Sequence, residues 1–363
     1  MTLWATGLGA LRTSDVTVRL AGKAIPAAFA DRAPGLAGMD QINFLVPADT
    51  PDGCYLPLTV HAGRYTSNQV TLSKASSAGG CPHPLGFSQE QLKMLDEGRS
   101  LPFGSIQISA ISTGSATAQR EHLTASFQGL QSIDAFTLFA PDQAEVSNSE
   151  CHLDVPVPGP IAAHFSNGGG TSPLPLTLAG PDGRTVDIYP LSWGFYSQDI
   201  GLPGTSPFLI GGTWQLSLPP GGAIGPLRQT FYLPPLVHFA NPESLTTIHR
   251  SADIPIAWTS SGYSAHDLIN VELWNGGYTL TPGATAVAVA CTALAQSGHL
   301  VLPASLLSQI GPTMRTDSPG VLQISVNPRP SSFTRFVTPV TGAADMPVLL
   351  TYSFADTLQV VIR

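Results

Sequence analysis

Charged side chains are scarce in this sequence. Aspartate, glutamate, lysine and arginine supply only 11% of the 363 residues, against about 25% in ordinary soluble proteins. Helical bundles rely on Glu, Lys and Ala, so the composition disfavours that class. The 24 acidic residues outnumber the 16 basic ones, and no basic run occurs. Because nucleic-acid binding requires a clustered basic face, the sequence predicts no nucleic-acid partner.

Long apolar runs are missing as well. A membrane-spanning helix requires about 20 consecutive apolar residues. No stretch of the sequence approaches that length, so the sequence predicts no membrane span. The first residues, MTLWATGLGA, contain no basic n-region, apolar h-region or small-residue cleavage site of an export signal.

Motifs for metals, phosphates and cofactors are also lacking. The nine histidines show no HxH, HxxxH or HExxH spacing, and the four cysteines form no CxxC pair. Glu121 and His122 are sequence neighbours, which on a strand point to opposite faces. The stretch HFSNGGGTSPLP (164–175) has neither a following GK[ST] nor a helix to bind phosphate. We therefore predict no metal and no cofactor.

Turn-forming residues and alternating apolar residues are abundant. The chain has 36 glycines and 33 prolines, and its hydrophobic content is 43%. Apolar residues alternate in short runs that end at Gly, Pro, Asn or Asp, which predicts short antiparallel strands packed as sandwiches. The runs are Val16–Leu20, Leu56–Val60, Leu174–Leu178, Trp214–Leu218, Ile254–Trp258 and Leu322–Val326. The predicted class is all-β.

Two short helices interrupt this pattern. In SQEQLKMLDEG, Ser88 as N-cap and Gln91 three residues later form a capping box, and Gly98 ends the helix. PASLLSQIG (303–311) begins with Pro and ends with Gly, which predicts a single helical turn.

Linkers divide the chain into three predicted domains. KASSAGGCPHPLG separates a first sandwich (1–77) from a second sandwich-like domain (78–235), which carries the short helix near 88–97. Pro234–Pro235 form a stiff junction before a third sandwich-like domain (236–363).

The first domain has one well-patterned strand. In QINFLVP, Ile42, Phe44 and Val46 alternate toward a core, whereas Gln41 and Asn43 face outward.

Several motifs of residues 3–74 occur together in a fixed order: TGLG, AGKAIPA, APGLAGMDQINFLVP, DGCYLPLTV and SNQVTL. This segment resembles the small Ig-like domain common in secreted proteins of Acidobacteria, the Solibacter-type C-terminal domain. The resemblance implies an Ig/TIG-type sandwich and export, and it implies no reaction. That domain usually closes a longer protein, whereas here it opens the chain.

The remainder more loosely resembles other acidobacterial secreted proteins, in IHRSADIPIAWTSSG and VACTALAQSGHLVLPASLL. In the resembling first domain, LWATGLG is an interior strand and turn. We therefore expect that sequence is missing upstream of Met1, that the export signal lies there, and that the protein is extracellular or at the cell surface.

The four cysteines are Cys54, Cys81, Cys151 and Cys291. An even number of scattered cysteines favours two disulfides in an oxidising compartment, and the alternative is four buried thiols in a cytosolic protein. Cys54 and Cys81 would join the first domain to its linker. Cys291 alternates with Val289 and points inward, so by elimination it would pair with Cys151, although a buried free thiol also fits it.

Catalytic arrangements are weak. SGYSAHD places Ser264, His266 and Asp267 side by side, but a triad requires groups that converge from different elements. We interpret this stretch as a polar turn before the strand LINVELW. Paired carboxylates for glycoside hydrolysis do not stand out among the acidic residues. The sequence predicts no enzyme.

Aromatic residues near turns could form a flat ligand platform, because exposed Trp and Tyr bind sugar rings and protein partners. The alternative is that these rings fill the cores, as the alternating neighbours of Trp214 and Trp258 predict for those two. The candidate platform residues are Trp193, Tyr196, Trp274 and Tyr278.

These features favour a secreted or cell-surface structural, adhesion or interaction protein without catalysis. A carbohydrate-binding accessory protein is the alternative, and a secreted hydrolase is a third class. The partner would be a protein or a glycan, and open sheet edges would allow self-association.

Overall fold

The fold is all-β, as the sequence predicted, with several antiparallel sheets and two short α-helices among the residues that the structure describes. The structure is a computed structural model. It describes residues 1–63, 65–67, 70–75, 87–113, 119–130, 150–154, 174–192, 194–201, 204–275, 288–313, 319–329, 332–342 and 345–363.

The N-terminal sandwich consists of two sheets. One has the strand order β1-β5-β4, and the other has the order β3-β2-β6-β7 with β8 also paired to β6. Its strands are β1 (Thr2–Ala5), β2 (Val16–Leu20), β3 (Lys23–Pro26), β4 (Phe29–Arg32), β5 (Asp40–Asn43), β6 (Gly53–Ala62), β7 (Tyr65–Thr66) and β8 (Val70–Lys74).

Alternation explains the core of this sandwich. Val16 and Val18 of β2 and Ile42 of β5 are buried in one apolar cluster between the two sheets. Gln41 and Asn43 lie on the opposite face of β5 and are half-buried, so the predicted orientation of this strand is confirmed.

The elements that follow belong to the second predicted domain. They are α1 (Gln89–Asp96), β9 (Leu101–Ser112), β10 (Arg120–Leu130), β11 (Glu150–Asp154), β12 (Leu176–Ala179), β13 (Thr185–Ile188), β14 (Pro190–Ser192), β15 (Phe195–Gly201), β16 (Gly212–Leu218) and β17 (Leu227–Leu233). The predicted capping box of α1 is present, since the Ser88 side chain accepts from the Gln91 N–H and the Gln91 side chain accepts from the Ser88 N–H.

The remaining elements lie beyond the Pro234–Pro235 junction. They are β18 (Thr247–Ile248), β19 (Ile254–Ala257), β20 (Asp267–Trp274), β21 (Ala288–Leu294), β22 (His299–Leu302), α2 (Ala304–Leu307), β23 (Gly320–Pro328), β24 (Thr334–Thr338) and β25 (Met346–Ile362). The single turn α2 is the helix predicted from PASLLSQIG.

An eleven-stranded sheet connects both of these segments. Its order is β11-β21-β20-β23-β25-β9-β10-β15-β14, and β18 and β24 also pair with β25. A four-stranded sheet (β13-β12-β16-β17) and a two-stranded sheet (β19-β22) pack against it, and buried residues of all three sheets form one apolar cluster. Trp214 and Trp258 are buried in that cluster, as the sequence predicted.

The 17-residue strand β25 joins the two sides of the predicted boundary near residue 235. Its first part pairs with β24 on one edge and in parallel with β9 on the other. Its last part pairs with β23 and, in parallel, with β18. In return, β11 from before the boundary pairs with β21 from beyond it. The two segments therefore exchange strands within one sheet.

Candidate functional site

Ser264, His266 and Asp267 form a turn rather than a triad. The N–H and Oγ–H of Ser264 donate to Oδ2 of Asp267 at 2.5 and 2.9 Å. The His266 N–H donates to Ser264 Oγ, whereas the His266 ring Nδ1 lies 2.8 Å from Oγ of Ser332. The Tyr352 hydroxyl donates to Oδ1 of the buried Asp267. These residues build the polar turn before β20 and attach it to β25.

The phenols around Asp267 act as hydrogen-bond donors. Burial, followed by the nearby charge of Asp267, raises the pKa of Tyr352 and that of Tyr263 far above the ordinary value of a phenol. The Tyr263 hydroxyl donates to the Leu236 carbonyl at 3.4 Å. Because these phenols stay protonated, they cannot accept a proton as a general base.

A different Ser–His–Asp chain lies on strands β10 and β15. His122 pairs with Asp199 across the two strands, and Ser197 lies opposite Thr124 on the same face. The imidazole Nδ1 is 2.8 Å from Oδ1 of Asp199, and Nε2 is 2.9 Å from Oγ of Ser197. Both ring nitrogens are therefore engaged in the order that a nucleophile, base and orienting carboxylate require.

This hydrogen-bonded chain lies on the solvent face of the sheet. The side chains of His122 and Asp199 are 33% and 41% exposed. Acyl transfer also requires donors aimed at the developing oxyanion and walls that exclude water. On an open face, water weakens each of these interactions. The arrangement fixes the His122 ring between Asp199 and Ser197 on a partly exposed strand face.

The sequence analysis did not identify the hydrogen-bonded chain of Ser197, His122 and Asp199, because it depends on strand pairing. Alternation places Ser197 and Asp199 on one face of FYSQD and places His122 opposite its neighbour Glu121. The pairing of β10 with β15, 75 residues further along, decides that these faces meet. That register is not encoded in local alternation.

Glu121 occupies the inner face of the same strand. It is buried and accepts from Gln119 Nε2 at 2.6 Å and from the backbone N–H groups of Phe208 and Leu209 at 2.9 and 3.0 Å. Burial raises the pKa of Glu121 despite these donors. A Cβ at Gly201 would lie 1.8 Å from Glu121 Oε2, so the glycine provides the space for the carboxylate.

Asp356 of β25 is a second buried carboxylate. It accepts from Ser112 Oγ at 2.5 Å and from the Phe239 N–H at 3.3 Å, and its Oδ2 lies 3.5 Å from Nδ1 of His238. Burial opposes ionisation, but the hydrogen bonds from His238, Ser112 and Phe239 outweigh it, and the pKa of Asp356 is lowered. This carboxylate joins β9, β25 and the segment before β18.

The cysteines are oxidised in the described part of the chain. A disulfide joins Cys151 on β11 to Cys291 on β21, two residues that face each other in the strand register. Cys291 is fully buried, and the pair is the one expected from elimination. Cys54 is also disulfide-bonded. Its predicted partner, Cys81, lies outside the described residues.

The predicted aromatic platform is not assembled as expected. Tyr196 is fully buried, so its assignment to an exposed platform is wrong. Its ring packs edge-on against Phe127 at 6.0 Å, and its hydroxyl donates to the Leu174 carbonyl. Trp274 is half-buried at the end of β20. Trp193 and Tyr278 lie outside the described residues.

The described residues contain no group of three or more His, Cys, Asp or Glu side chains placed to hold a metal ion. In the same residues, no helix has the length and apolar character needed to cross a membrane.

Comparisons with known proteins yield little. No family model and no curated protein matches the chain. The chain is similar to a solved DUF4785 family protein from Legionella pneumophila at 8% sequence identity, with a TM-score of 0.20. The match covers 91% of this chain and 78% of the Legionella protein. An endo-fucoidan hydrolase of glycoside hydrolase family 107 has 10% identity and a TM-score of 0.12. That match covers 98% of this chain and 43% of the enzyme. These TM-scores carry no conclusion about function.

Proposed function

We propose that the chain is an exported, non-catalytic interaction protein that acts outside the cell or on its surface. The Cys151–Cys291 disulfide carries this proposal, because disulfides persist in oxidising compartments. Cys54 adds a second oxidised site. The resemblance of residues 3–74 to an Ig/TIG-type domain of secreted proteins is a second, independent support for export.

The proposed role is that of a stiff scaffold with binding faces. The exchange of β11 and β25 couples the described residues on the two sides of residue 235 through the eleven-stranded sheet and its large apolar cluster. A rigid body of this kind holds its surface loops and sheet faces in fixed positions for a protein or glycan partner.

Thiol trapping in intact cells of the source organism tests the compartment. Intact cells are quenched with acid, the protein is unfolded in denaturant with a maleimide present so that buried thiols also react, and the mass of the purified protein counts the modified cysteines. We expect none at Cys151 and Cys291, and recovery of the protein in the extracellular or surface fraction. Modification of both cysteines together with recovery from the cytosol would overturn the export proposal.

The Ser197–His122–Asp199 chain gives the hydrolase alternative a specific test. We expect no covalent labelling of the protein by a fluorophosphonate probe, because His122 and Asp199 are partly exposed and water weakens the hydrogen bonds that would activate Ser197. Labelling that disappears in Ser197→Ala but persists in Ser109→Ala, a serine on the same face of β9, would overturn the non-catalytic proposal.

A further inference from the structure

The outer face of the three-stranded sheet in the N-terminal sandwich combines aromatic and amide side chains. Strands β1, β5 and β4 each direct alternate residues away from the core. We call this surface the aromatic–amide face. Its six residues are Thr2, Trp4, Phe29, Asp31, Gln41 and Asn43.

Strand register arranges these residues in two rows. Trp4 and Asp31 both lie opposite Gln41. Thr2 and Phe29 both lie opposite Asn43 in the second row. The aromatic residues therefore occupy diagonal corners, with the two amides between them. Two strand spacings and a two-residue offset separate the Cα atoms of Trp4 and Phe29 by about 12 Å.

The two aromatic side chains are exposed although the chain has cores available for rings. Trp4 is 53% exposed and Phe29 is 36% exposed, whereas Trp214 and Trp258 are buried. Single exposed apolar residues are ordinary on protein surfaces. On this face the four remaining positions are all polar, so the two rings lie within a polar surface.

The amides retain hydrogen-bonding capacity. Gln41 Nε2 donates to Asn43 Oδ1 at 3.0 Å, which holds both side chains across the face. This bond leaves the Gln41 carbonyl oxygen and the Asn43 NH₂ group for other partners. Asp31 Oδ1 accepts from the neighbouring Arg32 N–H, and its second oxygen adds an acceptor.

We propose that the aromatic–amide face binds a neutral glycan chain. Trp4 and Phe29 would stack on the C–H faces of two sugar rings, and their separation is comparable to the length of a disaccharide. Gln41, Asn43 and Asp31 supply donors and acceptors that match sugar hydroxyl groups. The face contains a carboxylate and no cation among its six residues, which favours a neutral glycan over an anionic one.

The pattern distinguishes a glycan from a protein partner. The buried core of a protein interface is more apolar than its rim, and the aromatic anchors cluster near its centre. Here the centre of the face is an amide pair, and the rings lie at the corners. This inference rests on the proposed extracellular role and names the class of ligand for it.

Affinity electrophoresis of the full chain tests the inference. The probes are four neutral polysaccharides in native gels: hydroxyethylcellulose, xylan, laminarin and galactomannan. We expect retardation by at least one, with the affinity lowered about tenfold in Trp4→Ala and in Phe29→Ala, a typical loss when one stacking ring is removed. Trp4→Phe keeps a ring and should retain part of the affinity. Tyr189→Ala removes a ring elsewhere that is more exposed than either, and this variant should bind as the wild type does.

Two outcomes would overturn the inference: no retardation by any of the four polysaccharides, or retardation that Trp4→Ala and Phe29→Ala leave unchanged. Thermal unfolding of each variant shows that its fold is intact, as expected for exposed side chains. The gel assay uses purified protein and does not depend on its compartment. Its failure is therefore distinct from failure of the export proposal, which the thiol-trapping experiment detects.

Discussion

Glu121 and His122 show how different the two sides of one strand are. Glu121 points inward, where it accepts three hydrogen bonds in the core. His122 points outward and bridges Asp199 and Ser197 at the surface. The chemistry of each side chain therefore follows from the face it occupies.

We expect Glu121→Gln to destabilise the protein by about 1–3 kcal/mol near pH 5, because an amide has one acceptor oxygen where Phe208 and Leu209 require two. The raised pKa of Glu121 means that wild-type stability decreases as pH rises from about 4.5 through the folded pKa. The difference between the two proteins should therefore shrink as pH rises. Urea unfolding from pH 4 to pH 9 measures it, and a difference that grows with pH would contradict this account.

Asp356 should show the opposite pH dependence. Its pKa is lowered, so its stabilisation is fully present above its ordinary value of 3.8 and is lost as pH falls through the folded pKa. We expect Asp356→Asn to cost about 1–3 kcal/mol at pH 7 and much less at the acidic end. The measurement is the unfolding free energy of both proteins between pH 2 and pH 7. A cost independent of pH would exclude ionisation as its source.

Among the elements, β25 depends on a glycine in its parallel neighbour β9. A Cβ at Gly104 would lie 2.8 Å from Val348 Cγ2 and 3.0 Å from Phe127 Cδ1. We expect Gly104→Ala to destabilise the protein by about 1–3 kcal/mol through overpacking. Thermal unfolding measures the effect, with Ser105→Ala on the other face of β9 as the control. Equal stability of the two variants would show that β9 and β25 accommodate the added methyl group without a free-energy cost.

The disulfide fastens β11, at one edge of the eleven-stranded sheet, to its neighbour β21 from beyond residue 235. Cys151 and Cys291 are 140 residues apart in sequence, so their cross-link restricts a long loop in the unfolded chain. We expect Cys151→Ala/Cys291→Ala to lose about 2–5 kcal/mol. Hydrogen exchange should show the largest loss of protection in β11 and β21. Uniform loss over the whole chain would indicate that the bond acts on the unfolded state alone.

Local patterns predicted the elements better than their partners. The alternation of Val16, Val18 and Leu20 identified β2, and the Ser88–Gln91 capping box identified α1. The parallel pairing of β25 with β9 joins residues more than 240 positions apart, such as Ser112 and Asp356. Nothing within either strand specifies that choice, because it is decided by packing of the whole sheet.

At the scale of the whole molecule, the N-terminal sandwich and the remainder have separate apolar cores. We expect a fragment of residues 1–86 to fold alone with its own cooperative transition. A fragment of residues 236–363 should not, because β25 would lack β9 and β21 would lack β11. Circular dichroism and thermal unfolding of both fragments provide the comparison. Cooperative unfolding of 236–363 would show that the exchanged strands are dispensable.

For the candidate sites, the sequence predicted which way a residue faces on its strand, and it did not predict which strands pair. Outward-facing Gln41 and Asn43 followed from alternation, yet Trp4 and Phe29 joined them only through the register of three strands. Tyr196 was misassigned because its local sequence, rich in Gly and polar residues, is that of a strand end. Its ring instead fills the space beside Phe127. Burial of a single aromatic residue is a property of the assembled layers.

The shared strand β25 also has an evolutionary consequence. A recombination event between residues 112 and 346 would separate β9 from β25, and one between 154 and 288 would separate β11 from β21. Each product would inherit an unpaired edge that invites aggregation. The N-terminal sandwich can be shuffled among proteins as a unit, whereas residues 87–363 must be inherited together.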